Sequence, residues 1–227
     1  MIRLSNRPLI LMHETWRRPR ALDQMAGTEM ARLRQEGREI FDGECLRLAS
    51  ATLVQRCSYS DSLATNRKAD HPAVNPYGYH PDGSLKSFED SQFANTLGAA
   101  AFIVSADGLV LLSKQPDNAV VSPGCWAPTG SGSTDIVDAR STLFATFEAT
   151  AARELEEEAD WRVRVRLLAA YRNENAGGKP EAICVARVQH HQRYDVPEGF
   201  VWVDLGRFPT TNLSDPVAKF LEYVSKD

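Results

Sequence analysis

Residues 141–159 constrain the fold more than any other stretch: Phe144, Phe147, Ala151 and Leu155 recur at three- and four-residue spacing, the period of one apolar helix face. Short apolar runs surround that helix. Ala99 to Val104 and Leu109 to Leu112 flank Ser105-Ala106-Asp107-Gly108, a hairpin signal. A further strand is expected over Cys125 to Pro128, then a Gly/Ser/Asp-rich loop from Thr129 to Asp138. After the helix come strands near 162–171, 181–188 and 199–204, and Asp215-Pro216 opens a C-terminal helix at about 214–224. Strands mixed with one central and one terminal helix predict a layered α/β sandwich.

The first 95 residues read differently. Residues 21–39 are rich in helix formers, with Leu22, Met25, Met30 and Leu33 on an imperfect apolar face. Leu46, Leu48, Ala51, Leu53 and Cys57 fall in a β-rich stretch, as an edge pair or one long strand. Residues 66–95, punctuated by Pro72, Pro76, Gly78, Pro81 and Gly83, read as one long loop. Residues 1–95 are therefore expected to form a helix/strand extension packed on a core of residues 96–227.

Composition narrows the partners. The net charge of −4 carries no electrostatic footprint for nucleic acid or an anionic membrane surface. The densest basic patch, Arg17, Arg18 and Arg20, reads as solvated surface, so a small anionic substrate would need bound cations or a local basic cluster. Cys45, Cys57, Cys125 and Cys184 include no C-x-x-C pair and read as reduced thiols of a cytoplasmic protein. The apolar run Leu9 to Met12 is too short for a signal peptide, and no stretch approaches a membrane span. His13, His71, His80, His190 and His191 show no ligand spacing.

The chemistry concentrates in Arg153-Glu154-Leu155-Glu156-Glu157-Glu158. On a helix Glu154, Glu157 and Glu158 share an arc of roughly 100°, while Glu156 points away. Glu154 and Glu158 lie on or beside the apolar stripe, where like charges repel and desolvated carboxylates need a cation. Hard oxygen ligands on a rigid helix suit magnesium or manganese. From periodicity alone the same run also reads as a solvated acidic face.

Arg153-Glu154-Leu155-x-Glu157-Glu158 resembles the core of the Nudix box, and Pro123 to Gly130 looks like the strand and glycine turn that lead into it. The resemblance implies an α/β/α sandwich with a mixed sheet and magnesium held by Glu154, Glu157 and Glu158. It also implies hydrolysis of a nucleoside diphosphate linked to another moiety. Three box positions depart from the pattern: Ala139 and Asp160 stand for glycines and Ala145 for a glutamate. Residues 131–138 look like an insertion that moves the first glycine to Gly130 or Gly132, and the missing carboxylate leaves Glu148 as the alternative tether for Arg153. Leu46 to Leu53, Ser58 to Asn66 and Arg172 to Gly178 are similar to segments of the family branch that hydrolyses UDP-glucose and UDP-galactose in animals.

These likenesses imply a UDP-sugar substrate cut to UMP and a sugar 1-phosphate, with ADP-ribose or a dinucleotide cofactor as the alternative substrate. A nucleotide sensor that does not cleave is the alternative of a different kind. Glu154, Glu158 and Glu174 are the candidates for catalysis, with Glu158 or Glu174 as general base. Arg172 and Lys179 flank Glu174 and could bind phosphate, as could Lys114. Tyr59 could stack on a pyrimidine, and Thr65 and Asn66 are short polar groups beside it. Core packing for Tyr59 and a capping role for Asn66 are the competing readings. Asn66, Arg172 and Asn173 complete the candidate set for base and sugar selection.

Overall fold

Strand β5 (Gly98–Ser105) organises the molecule because both of its faces are buried. In the computed structural model, which describes residues 2–225 apart from 39, 41, 190–195, 209 and 210, Ala99, Ala101 and Ile103 join one core. Ala100 and Phe102, pointing the other way, join a second. A strand buried on both sides reads as a continuous apolar run, as this one does.

The sheet is mixed. Its order is β1 (Ile2–Arg3), β9 (Val165–Asn173), β10 (Lys179–Val188), β5, β6 (Val110–Lys114) and β11 (Phe200–Val203). Strand β10 runs parallel to β5 and antiparallel to β9. On its other edge β5 changes partner half-way along: β6 pairs with Ile103 and Val104, whereas β8 (Gly130–Ser133) pairs with Gly98 to Ala101. A two-residue strand, β7 (Trp126–Ala127), pairs antiparallel with the end of β6 at Ser113 and Lys114.

Helix α4 (Leu143–Ala159) covers one face with Leu143, Phe147, Ala151 and Leu155. Thr142 caps it by accepting from the Ala145 amide at 3.3 Å. It ends at Asp160 with a φ of 52°, the left-handed conformation that explains why a glycine would suit this position. Helix α5 (Asp215–Val224) covers the opposite face, with Phe220 stacked on Phe102 at 4.2 Å between ring centroids. The architecture is α/β, with helices on both faces of the mixed sheet.

The N-terminal residues build a second sheet from β2 (Ile10–Thr15), β4 (Leu53–Ser58) and β3 (Glu44–Leu48), and α1 (Asp23–Gln35) packs beside it on α2 (Tyr59–Ala64). The β-rich stretch 46–57 is thus a hairpin, not one long strand. Residues 66–95 are not a single loop either, since they contain a 3-10 turn at Asn66–Lys68 and a one-turn helix α3 (Asn75–Gly78). Leu46, Leu48 and Val54 pack into the core under α4. The Leu46 amide donates to Thr134 O at 2.9 Å, and its carbonyl accepts from the Leu97 amide at 2.8 Å. No helix among the described residues is long and apolar enough to cross a membrane.

We propose on these contacts that residues 1–95 are an integral part of the working protein. A chain starting at Thr96 loses the partners of Leu97 and Thr134 and bares their side of the core. It is expected to be insoluble, or to lack a cooperative transition in a circular-dichroism melt. A truncated chain that melts cooperatively with unchanged substrate affinity would show the extension to be dispensable.

Candidate functional site

The site grows from the contact between α4 and β8. Gly130 and Gly132 let the strand approach the helix: a Cβ on Gly130 would lie 2.9 Å from the Glu154 backbone, and one on Gly132 would lie 2.2 Å from Glu154 Oε1. Residues 130–133, read from the sequence as loop, are a strand because the lower half of β5 would otherwise lack a ladder partner.

Arg153 is held firmly. Its Nε donates to Asp138 Oδ1 at 3.1 Å, and its Nη2 donates to Asp138 Oδ2 at 2.9 Å and to the Ser133 carbonyl at 2.9 Å. Its Nη1 reaches Glu154 Oε1 and Glu157 Oε2, each at 2.8 Å. The tether expected from Glu148 therefore comes from Asp138 instead, while Glu148 accepts from the Leu167 amide at 2.9 Å. Asp138 is 3% exposed and closes a 3-10 turn at Ile136–Asp138, which places its carboxylate beside α4. Asp138→Asn is expected to destabilise by on the order of 2 kcal/mol, below the ~3–5 kcal/mol of a fully buried pair because Arg153 is 24% exposed. Urea unfolding measures it, and an unchanged midpoint would remove the tether.

The three glutamates are not equivalent. Glu154 is buried at 7% exposed, and burial pushes its carboxyl up to about 6 against the pull of Arg153. Glu158 is pushed up to about 7 by the packing around its carboxylate and by the Glu154 charge, opposed by a hydrogen bond from the Ser131 amide. Its side chain remains exposed, so solvent screens it and Glu154 is the firmer of the two. Glu157 turns outward, 56% exposed, onto Arg153. Among the described residues no three His, Cys, Asp or Glu side chains converge as a ready-made metal cluster. Two adjacent carboxylates that resist ionisation still fit a hard divalent cation, which takes one or two carboxylates and fills its shell with water and substrate phosphate.

A pH dependence follows for the protein without metal. Glu154 goes from an unfolded value of 4.5 to about 6 in the fold, so the folded state holds its proton more tightly. Its contribution to stability is present below pH 4.5 and lost as pH rises through about 6. Melting temperatures of the wild type should therefore fall relative to Glu154→Gln across that window. Parallel curves for the two proteins would contradict the shift.

A cavity of about 630 Å³ opens beside this contact. Its wall includes Glu158, Ser131 to Ser133, Gly98 to Ala100, Tyr59, Asn66, Asn173 and Lys179. Tyr59 also packs against Met30, Leu33 and Leu63. Asn66 reaches the wall with its amide already engaged: Oδ1 accepts from the Asn95 amide at 2.8 Å and Nδ2 donates to the Gly177 carbonyl at 3.2 Å. Asn173 donates to Glu181 Oε2 at 2.8 Å.

Six candidates lie outside this cavity lining, Glu154 and Glu157 on α4 among them. Thr65 is fully buried, donating to Asp61 O and accepting from the Ala94 amide. Arg172 turns away: it stacks over Phe88 at 4.3 Å and donates to the Gly178 and Lys86 carbonyls. Glu174 is exposed, and its charge acts on Arg172 and Tyr79. Lys114 is exposed at the end of β6. His190 and His191 lie outside the described residues. The sequence reading missed Arg67, Gln115, Glu181, Ser214 and Asp215, all on the cavity wall. They come from a 3-10 turn, the end of β6, β10 and the start of α5, and although Asp215-Pro216 marked a helix start, no local spacing tied any of them to the glutamate helix.

No protein-family model matches the sequence, and neither does any curated protein. Solved structures similar to this chain include a MutT protein from Methanosarcina mazei Go1, at 18% identity and TM-score 0.43 over 58% of this chain and 93% of that one. A mutT/nudix family protein from Listeria innocua shares 15% identity at TM-score 0.45 over 58% of this chain and 92% of its own. The Ap4A hydrolase of C. elegans shares 17% identity at TM-score 0.40 over 58% and 96%. Likenesses this distant carry no function by themselves.

Proposed function

We propose that the chain is a magnesium- or manganese-dependent Nudix diphosphatase acting on a nucleoside diphosphate linked to another moiety. One observation carries the reading: Glu158 lines a cavity large enough for a nucleotide, one turn along an Arg153-clamped helix from Glu154, which meets the glycine strand β8 just behind that wall. A bound divalent cation would neutralise the diphosphate and activate water. The chain's own groups do the rest. Arg153 holds the carboxylate helix in register with Ser133. Glu158, exposed at the cavity wall, accepts a proton from water as the water oxygen bonds to one phosphorus and the bridging P–O bond breaks. Lys179 and Arg67 are the cations on the cavity wall.

Within that class we propose a UDP-hexose, cut to UMP and sugar 1-phosphate, because three segments outside the box resemble the UDP-sugar branch. Adenine substrates such as ADP-ribose remain the competing choice, and a cytoplasmic setting without nucleic-acid or membrane partners accompanies either. Glu157, turned away onto Arg153, favours a second reading: a domain that binds nucleotide without cleaving it. The deciding experiment compares kcat/KM for UDP-glucose, UDP-galactose, ADP-glucose and ADP-ribose at equal magnesium. Release of UMP is expected. An adenine nucleotide favoured by about tenfold or more, one decade of specificity, would remove the uridine assignment. UDP binding with no product from any substrate would establish the sensor.

A further inference from the structure

One part of the cavity wall is polar in a way that neither metal nor phosphate explains. Tyr171, Glu181, Gly98 and Ser133 are cross-strand neighbours in one row over β9, β10, β5 and β8. The row thus leads from the α4–β8 contact to a cluster of Tyr171, Asn173, Glu181, Ser214 and Asp215, with β10 and β9 two and three strand spacings, roughly 10 and 14 Å, beyond β8. Asn173 Nδ2 sits between two carboxylates, at 2.8 Å from Glu181 Oε2 and 3.4 Å from Asp215 Oδ2. Lys179 Nζ reaches Glu181 Oε1 at 3.3 Å.

Two buried hydroxyls in this cluster make no hydrogen bond. Tyr171, 1% exposed, has an Oη near enough to Glu181 for the two to interact, yet in no well-formed hydrogen bond. Ser214, 5% exposed, has an unpartnered Oγ. Ser214 is also the N-cap of α5, where a serine hydroxyl ordinarily accepts from the first turn, and here it makes no such bond. Both residues line the cavity. A buried hydroxyl without a partner is costly, and a ligand in the cavity would supply the missing bonds.

We infer that Tyr171, Asn173, Glu181, Ser214 and Asp215 form a subsite for a neutral, hydroxyl-rich group, the sugar beyond the diphosphate. The assignment rests on the diphosphatase reading. Two carboxylates repel a phosphate, so the anionic part of the substrate does not lie here. A polyol supplies donors for Glu181 and Asp215 and both donors and acceptors for the two hydroxyls, and every group in the cluster is then satisfied.

The test uses Tyr171→Phe, Ser214→Ala and Glu181→Gln. The first two remove hydroxyls that hold nothing in the fold, so their melting temperatures should match or exceed the wild type. Each protein is assayed with UDP-glucose and with a UDP ester of a simple alkyl alcohol, which keeps base and diphosphate but lacks hydroxyls. KM for UDP-glucose is expected to rise at least tenfold in Ser214→Ala and Glu181→Gln, with the alkyl ester changed less than twofold. Equal losses on both substrates would overturn the subsite and leave the diphosphatase reading standing. An amino-sugar derivative preferred tenfold over UDP-glucose would also overturn it, marking a cation site. If the wild type cleaves neither substrate, the UDP-sugar assignment fails, and calorimetry with EDTA present decides the subsite. UDP-glucose bound tighter than UDP, with the difference lost in Ser214→Ala, would support it, and equal affinity would overturn it.

Discussion

Replacing Glu158 or Glu154 by Gln is expected to lower turnover at least ~100-fold, as for the loss of a group that holds metal or moves a proton in the reaction. The fold should survive both changes. Glu158 is exposed, and Glu154 carries a burial penalty that an uncharged amide relieves. Glu157→Gln separates this structure from a simple reading of the motif. Its carboxylate is 56% exposed and bound to Arg153, so its effect should be the smallest of the three unless a bound cation draws it inward. Stopped assays with magnesium and with EDTA, beside a thermal melt of each variant, measure the series. Near-native rates for Glu154→Gln and Glu158→Gln together would make the carboxylate helix structural and place any active site elsewhere.

Gly130→Ala and Gly132→Ala should damage the protein in opposite ways. The added methyl at Gly130 meets the backbone of Glu154 and Leu155 at 2.9 Å, and a packed helix backbone cannot step aside. The expected result is a loss of about 1–3 kcal/mol of stability, the range of an overpacked core. At Gly132 the obstacle is the Glu154 carboxylate, the free end of a side chain, 2.2 Å from the new Cβ. That group can rotate away without moving backbone, at the loss of its part-exposed ion pair with Arg153, so stability should change by less than about 1 kcal/mol. Activity should nonetheless fall about as far as in Glu154→Gln. Denaturant titration and turnover of both variants read the contrast. A Gly132→Ala protein as active as wild type would show that the Glu154 carboxylate has no working position to defend.

Local pattern carried much of this protein in its sequence. The apolar run at Ala99 to Val104, the helical spacing of Phe144, Phe147, Ala151 and Leu155, and the Asp215-Pro216 start were all legible because periodicity reports which face is buried. The placement of Glu154 and Glu158 on one side of α4 was legible for the same reason. Tertiary structure decided what those glutamates meet. Arg153 is tethered by Asp138, fifteen residues earlier in the chain (|i−j| = 15), through a turn that no spacing rule connects to the helix. Residues 130–133 are glycine and serine, with no strand preference of their own, and became β8 only because β5 lacked a partner there. Arg172 and Lys179 look alike as phosphate binders on paper, yet packing sends one to Phe88 and the other to the cavity. Tyr171, Glu181, Ser214 and Asp215 come from two strands and a helix start, and only strand register and the docking of α5 bring them to one wall. Sequence pattern sets which faces are buried, while the side chains that share a cavity depend on long-range pairing that local pattern does not encode.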